Sequence, residues 1–182
     1  MIKVFLLPLT KVDYIVLQSI ASHLESLGFN VRIINDILHI PFSYYCWDRK
    51  QYDADQILEF LKRKLSEFLN NESVILGIAD VDGFSDSLNF IFGIATSRVG
   101  IVFLSRLKEE FYGREPNFSL FLDRVKKEAT HELGHALGLE HCNDKSCVMS
   151  FSNSIKEVDK KGNTYCERCK LKLQMSTTNF AS

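Results

Sequence analysis

Three histidines and a glycine, in the order His131, His135, Gly138 and His141, constrain this chain more than any other feature. On a helix, positions i and i+4 lie ~40° apart in projection and ~6 Å apart in rise. His131 and His135 can therefore hold one Zn²⁺ from the same face. Glu132 falls beside that ion, where it can take a proton from metal-bound water without coordinating. A continuing helix would carry His141 ~15 Å along the axis from His131, too far to share the ion. Gly138 removes the difficulty, because a residue without Cβ can turn left-handed, end the helix and swing the chain back. His131, His135 and His141 are thus candidate ligands of a catalytic zinc with one open position, and Glu132 is the candidate general base.

The next residues suggest a second metal. Cys142, Cys147, Cys166 and Cys169 form a C-x4-C and a C-x2-C pair, while Cys46 stands apart. An odd number of cysteines argues against a disulfide framework, and four thiols at these spacings suit a closed tetrahedral zinc site. Two disulfides or a redox-active C-x2-C are the alternatives. The redox motif wants a strand-to-helix turn at the head of a βαβ unit, and the context here is a polar tail. Residues 139–182 lack an apolar stripe, so metal binding could supply the folding energy of this segment. The expectation is two Zn²⁺ per chain, one catalytic and one structural.

Upstream, the pattern is that of an α/β chain. Residues 2–7, 31–40 and 74–79 read as strands, and residues 13–27 and 53–69 as amphipathic helices, the second opened by the capping pair Asp53 and Gln56. Phe90, Ile91, Phe92, Gly93, Ile94 and Ala95 form one strand of an antiparallel pair with residues 101–104. Pro116 and Asn117 open the helix that carries the histidines. The order β-α-β-α-β-β-β-α predicts a mixed, mostly parallel sheet with an antiparallel edge strand and packed helices. Two units are expected: residues 1–138, with sheet and active-site helix, and residues 139–182, with the third histidine and the cysteines.

The long histidine string followed by Met149 resembles the metzincin clan of zinc peptidases, in which a methionine turn lies beneath the metal. The added C-x4-C-x-M and C-x-x-C make the chain similar to the archaemetzincins in particular. The sixteen residues between Met149 and Cys166 are about one fewer than in that pattern. The resemblance extends upstream to residues 80–82 and 88–93. It implies a compact metzincin-like fold without a propeptide, stapled by zinc at its C-terminal end. It also implies hydrolysis of a peptide lying along residues 90–95 as the edge strand. Some metzincins have a tyrosine two residues after the methionine; here Phe151 stands there and cannot coordinate, so four-coordinate zinc is expected.

Composition excludes other classes. Among 182 residues, 22 basic and 23 acidic side chains leave a net charge of −1, which argues against a nucleic-acid partner. No apolar run approaches the ~20 residues of a membrane span, and no secretory signal is evident, so a cytoplasmic protein is expected. Asp80, Asp82 and Asp86 read as turn chemistry, not a calcium loop. Lys156, Lys160, Lys161, Arg168, Lys170 and Lys172 read as a solvated face. The competing function is a zinc-stabilised peptide-binding module with vestigial or very restricted proteolysis. An intact general base beside an intact ligand set favours the peptidase. Oligomeric state and substrate preference are not legible.

Overall fold

The computed structural model describes residues 1–178, so residues 179–182 of the expected C-terminal unit lie outside the described residues. The hydrophobic runs assemble a five-stranded sheet in the order β2-β1-β5-β9-β8. Its strands are β1 (Lys3–Pro8), β2 (Asn30–Ile33), β5 (Ser73–Ala79), β8 (Gly93–Thr96) and β9 (Val99–Phe103). The first four in spatial order are parallel, and β8 pairs antiparallel with β9 at the edge, as the sequence pattern predicts. Central β5 is buried at every position, as a strand covered on both faces must be.

Helix α1 (Tyr14–Ser26) and helix α3 (Phe118–Ala136) pack on one face, their apolar stripes meeting Val4, Leu6, Leu76 and Val102. Helix α2 (Ala54–Lys64) covers the other face through Ile57, Leu58 and Leu61. The Asp53 carboxylate caps α2 by accepting from Gln56 N–H at 3.1 Å, and the Gln56 amide donates to the same carboxylate at 2.7 Å.

Three features differ from expectation. The strand predicted over residues 31–40 stops at Ile33, and α2 ends at Lys64 before a short 3-10 turn. The single strand expected over residues 90–95 is two strands: β7 (Leu88–Ile91) belongs to a second sheet, and the chain crosses at Phe92 into β8. That second sheet, ordered β3-β4-β6-β7, adds β3 (Tyr45–Cys46), β4 (Gln51–Asp53) and β6 (Gly83–Ser85). Its strands are two to four residues long, too short to show an alternating pattern.

Beyond α3 the chain has no helix or strand until α4 (Ile155–Lys160), followed by α5 (Glu167–Thr178). Neither helix was expected from periodicity. Ile155 and Val158 of α4 join the main core, while Leu139, Cys142, Cys147, Val148, Met149, Tyr165 and Cys169 form a small core of their own.

Candidate metal centres

Helix α3 ends as the glycine argument requires. Gly138 has φ +92°, its N–H donates to His135 O, and Leu139 N–H donates to Gly134 O, both at 2.9 Å. This turn sends His141 back over the helix. The ligating atoms of His131, His135 and His141 come within 4.8 Å of one another. The Nε2 atoms of His131 and His135 are 3.1 Å apart, close to the ~3.3 Å edge of a tetrahedron of nitrogens at ~2.05 Å from zinc.

The opposite ring nitrogens fix the tautomers. His131 Nδ1 meets Val148 O at 2.8 Å and His135 Nδ1 meets Leu139 O at 2.7 Å. A carbonyl can only accept, so both Nδ1 atoms carry the proton and both Nε2 lone pairs are free to bind a cation. Burial holds all three imidazoles below their ordinary pKa, most strongly at His131, and the charge of Lys161 adds to it. Neutral imidazoles with converging lone pairs fit a zinc ion.

Glu132 lies buried beside them. Its side chain packs against Gly93 on the edge strand β8, where a Cβ would overlap the carboxylate. Burial pushes its carboxyl well above the carboxylate range, Glu128 adds to the effect and Lys161 opposes it. A cation at the neighbouring imidazoles favours the ionised form that a base needs. Met149 sits under the site against Gly134, where any Cβ would overlap its sulfur. Phe151 lies 4.9 Å from the His141 ring, centre to centre.

The four cysteines also converge, with all sulfurs within 4.8 Å. Cys142 and Cys166 are 3.8 Å apart, as are Cys147 and Cys169. These separations exceed a disulfide bond by far and match the ~3.8 Å edge of a tetrahedron of thiolates ~2.3 Å from zinc. Burial opposes ionisation of Cys142, but the Asp144 N–H and the Arg168 guanidinium outweigh it and lower its thiol to about 7. Burial raises Cys147 and Cys169 instead, so a cation is what would make those thiols ionise together.

A cleft of about 550 Å³ opens over the histidines, bordered by residues 88–95 on one side and by Phe151, Ser152 and Asn153 on the other. Two of its lining residues escaped the sequence reading. Glu128 and Lys161 form an ion pair at 2.8 Å, with side chains 4% and 1% exposed. Lys161 therefore leaves the solvated face to which its charge assigned it. Glu128 lies one helical turn before Glu132 on the same face, a spacing that could have identified it. Asp80 and Asp82, read as turn residues, take part in ion pairs with Lys108 and Arg106 respectively.

The same architecture is found in known proteins. Residues 3–175 match the model of Peptidase family M54. An archaemetzincin of Sulfolobus acidocaldarius is 48% identical over 176 residues, covering 97% of this chain and 98% of its own. The chain belongs to the archaemetzincins. The crystal structure of the archaemetzincin from Methanopyrus kandleri superposes with a TM-score of 0.83 at 32% identity, over 97% of this chain and 96% of that one. A zinc-dependent peptidase from Methanocorpusculum labreanum gives 0.82 at 28% identity, over 95% and 100%. As an archaemetzincin, the chain is by family a zinc metallopeptidase, and its substrates are peptides or proteins. Among the described residues no helix is long and apolar enough to cross a membrane.

Proposed function

We propose that His131, His135 and His141 hold a catalytic zinc, that Glu132 is the general base of peptide hydrolysis, and that Cys142, Cys147, Cys166 and Cys169 hold a second, structural zinc. The observation that carries this reading is the Glu132 carboxylate, buried between α3 and Gly93 beside three converging imidazoles. Zinc, when bound, supplies a Lewis acid that polarises the scissile carbonyl and makes water nucleophilic near neutral pH. Glu132 takes a proton from the attacking water and hands it to the leaving amine nitrogen, returning to its carboxylate form as the C–N bond breaks. Met149 supports the helix from below, and Gly93 keeps the carboxylate aimed into the cleft.

The peptide lies extended along β8, whose outer edge has no partner strand among the described residues, so that its backbone extends the sheet by one strand. Of residues 90–95, Gly93, Ile94 and Ala95 lie on β8, Phe90 and Ile91 border the cleft from β7, and Phe92 joins the two strands. Residues 139–178 act as a zinc-stapled unit laid against residues 1–138. Five cysteines, none of them in a disulfide among the described residues, support a reducing, cytoplasmic setting.

The test is a peptide-library digest of the wild type and Glu132→Ala, with metal content measured on both. Two zincs per chain in each, and cleavage by the wild type alone, is the expected result. Cleavage by zinc-loaded Glu132→Ala would refute the base assignment, and a zinc-loaded wild type that cleaves nothing would favour the binding module.

A further inference from the structure

The two clusters share their chain segments. Cys142 follows His141 directly, and its N–H donates to Met149 O at 2.9 Å. Cys147 precedes Val148, whose carbonyl oxygen receives His131 Nδ1 at 2.8 Å. The Val148 N–H donates in turn to Thr164 O at 3.1 Å. Tyr165 stands between Thr164 and Cys166, is buried, and donates its hydroxyl proton to Thr130 O at 2.7 Å, one residue before His131. Its ring borders Gly134, where a Cβ would come within 3.1 Å of Cε1. The Cys166 N–H closes the circuit by donating to Cys147 Sγ at 3.3 Å.

The orientation of a ligating imidazole is set by the acceptor on its other nitrogen. For His131 that acceptor belongs to a segment with neither helix nor strand between Ala136 and Ile155. The Val148 N–H donates to Thr164 O, but among the described residues Val148 belongs to no helix or strand. The segment meets residues 164–169 through the Val148–Thr164 hydrogen bond, through the small core of Leu139, Val148, Met149 and Tyr165, and through the cysteine cluster, whose thiols without a cation attract one another little. A cation among them changes that, because binding at a site absent from the unfolded chain becomes folding free energy.

We propose that the four-cysteine centre, acting through the Val148 carbonyl and the Tyr165 hydroxyl, positions His131, so that metal on the cysteines tightens metal binding by the histidines. Tyr165 is a positioning residue in this scheme. The inference rests on both clusters holding metal, as proposed above. Linkage is reciprocal, so metal on the histidines must tighten the cysteine site by the same factor.

The experiment uses the full chain, with zinc on the cysteines and the histidine site stripped by a mild chelator and titrated with Co²⁺. The d–d absorption of histidine-bound cobalt reports geometry, and competition reports affinity. Tyr165→Phe keeps the ring and all four thiols and loses one hydrogen bond. It should bind cobalt about 10-fold more weakly, with shifted d–d bands, while retaining its cysteine zinc and its circular dichroism. Cys166→Ser should weaken cobalt binding by about 100-fold. His135→Ala removes a histidine ligand whose ring bonds Leu139 O and not Val148, Tyr165 or a cysteine, and it should speed zinc release from the cysteines to a chromogenic chelator. Wild-type cobalt affinity and spectrum in Tyr165→Phe, or unchanged zinc release in His135→Ala, would overturn the coupling even if Cys166→Ser fails to fold. A wild type whose cysteines or histidines hold no metal would instead overturn the two-metal reading, and the coupling with it.

Discussion

Gly93 and Glu132 are in such close contact that a single methyl group on the first would occupy the space of the carboxylate of the second. The edge strand thus acts as a backstop for the acid. Gly93→Ala should displace the carboxylate by about 1 Å and lower kcat by about 100-fold, a loss typical of such misplacement. Zinc content should not change, because the atoms nearest to an added Gly93 Cβ belong to Glu132 and not to a histidine. Steady-state kinetics with metal analysis checks this, and an unchanged kcat would show that the carboxylate has room to move.

Gly134 sets helix propensity against packing. Alanine in its place would favour the helix by about 1 kcal/mol. Its Cβ would also meet the Met149 sulfur and come within 3.1 Å of the Met149 methyl and of Tyr165. Met149 is fully buried, so its side chain has nowhere to go. Overpacking costs of ~1–3 kcal/mol should win, and Gly134→Ala should lower the urea midpoint with the slope unchanged. A raised midpoint would mean that the methionine turn is loosely packed.

The sequence made the histidine-bearing helix and its termination legible, because both depend on local rules: apolar spacing along α3 and a left-handed Gly138 after Leu137. The clustering of the four cysteines was legible through their spacing. The second sheet was not, since β3, β4, β6 and β7 gain their stability from one another and from the main body, and none carries a pattern of its own. The crossing at Phe92 was hidden for the same reason, as the apolar run continues unbroken through both strands. Helix α4 is one and a half turns long and is recognisable only from what Ile155 and Val158 pack against. Lys161 was misread because a charged run looks solvated until a distant acid, here Glu128, is brought to it.

Arg124 ties α3 to α4. Its guanidinium binds Asp159 at 2.7 and 2.8 Å, Glu109 at 2.7 Å and Leu107 O at 3.0 Å, with the side chain 1% exposed. Arg124→Met keeps most of the volume and removes all four contacts. Breaking a sealed pair costs ~3–5 kcal/mol. The loss here should be smaller, about 2–3 kcal/mol, because Asp159 is 34% exposed and Arg114 still reaches Glu109. Urea unfolding measures it, and a change below 0.5 kcal/mol, roughly the surface value, would show that the network adds little.

His23 on α1 holds the loop before Tyr165 through Asn163 O at 3.0 Å. Burial lowers its pKa below 6.5; the Asn163 carbonyl and Asp123 oppose the shift, and Lys126 reinforces it. A folded-state pKa below the unfolded value means that the unfolded chain binds the proton more tightly. The stabilisation from neutral His23 is therefore complete above about pH 6.5 and is lost as the pH falls through the lower folded-state value. His23→Gln keeps a donor for Asn163 and removes the titration, so its urea midpoint should fall less than that of the wild type between pH 7.5 and 5.5. Acid release of metal affects both proteins alike and cancels in the difference. Parallel losses in the two would show that His23 does not titrate in this range.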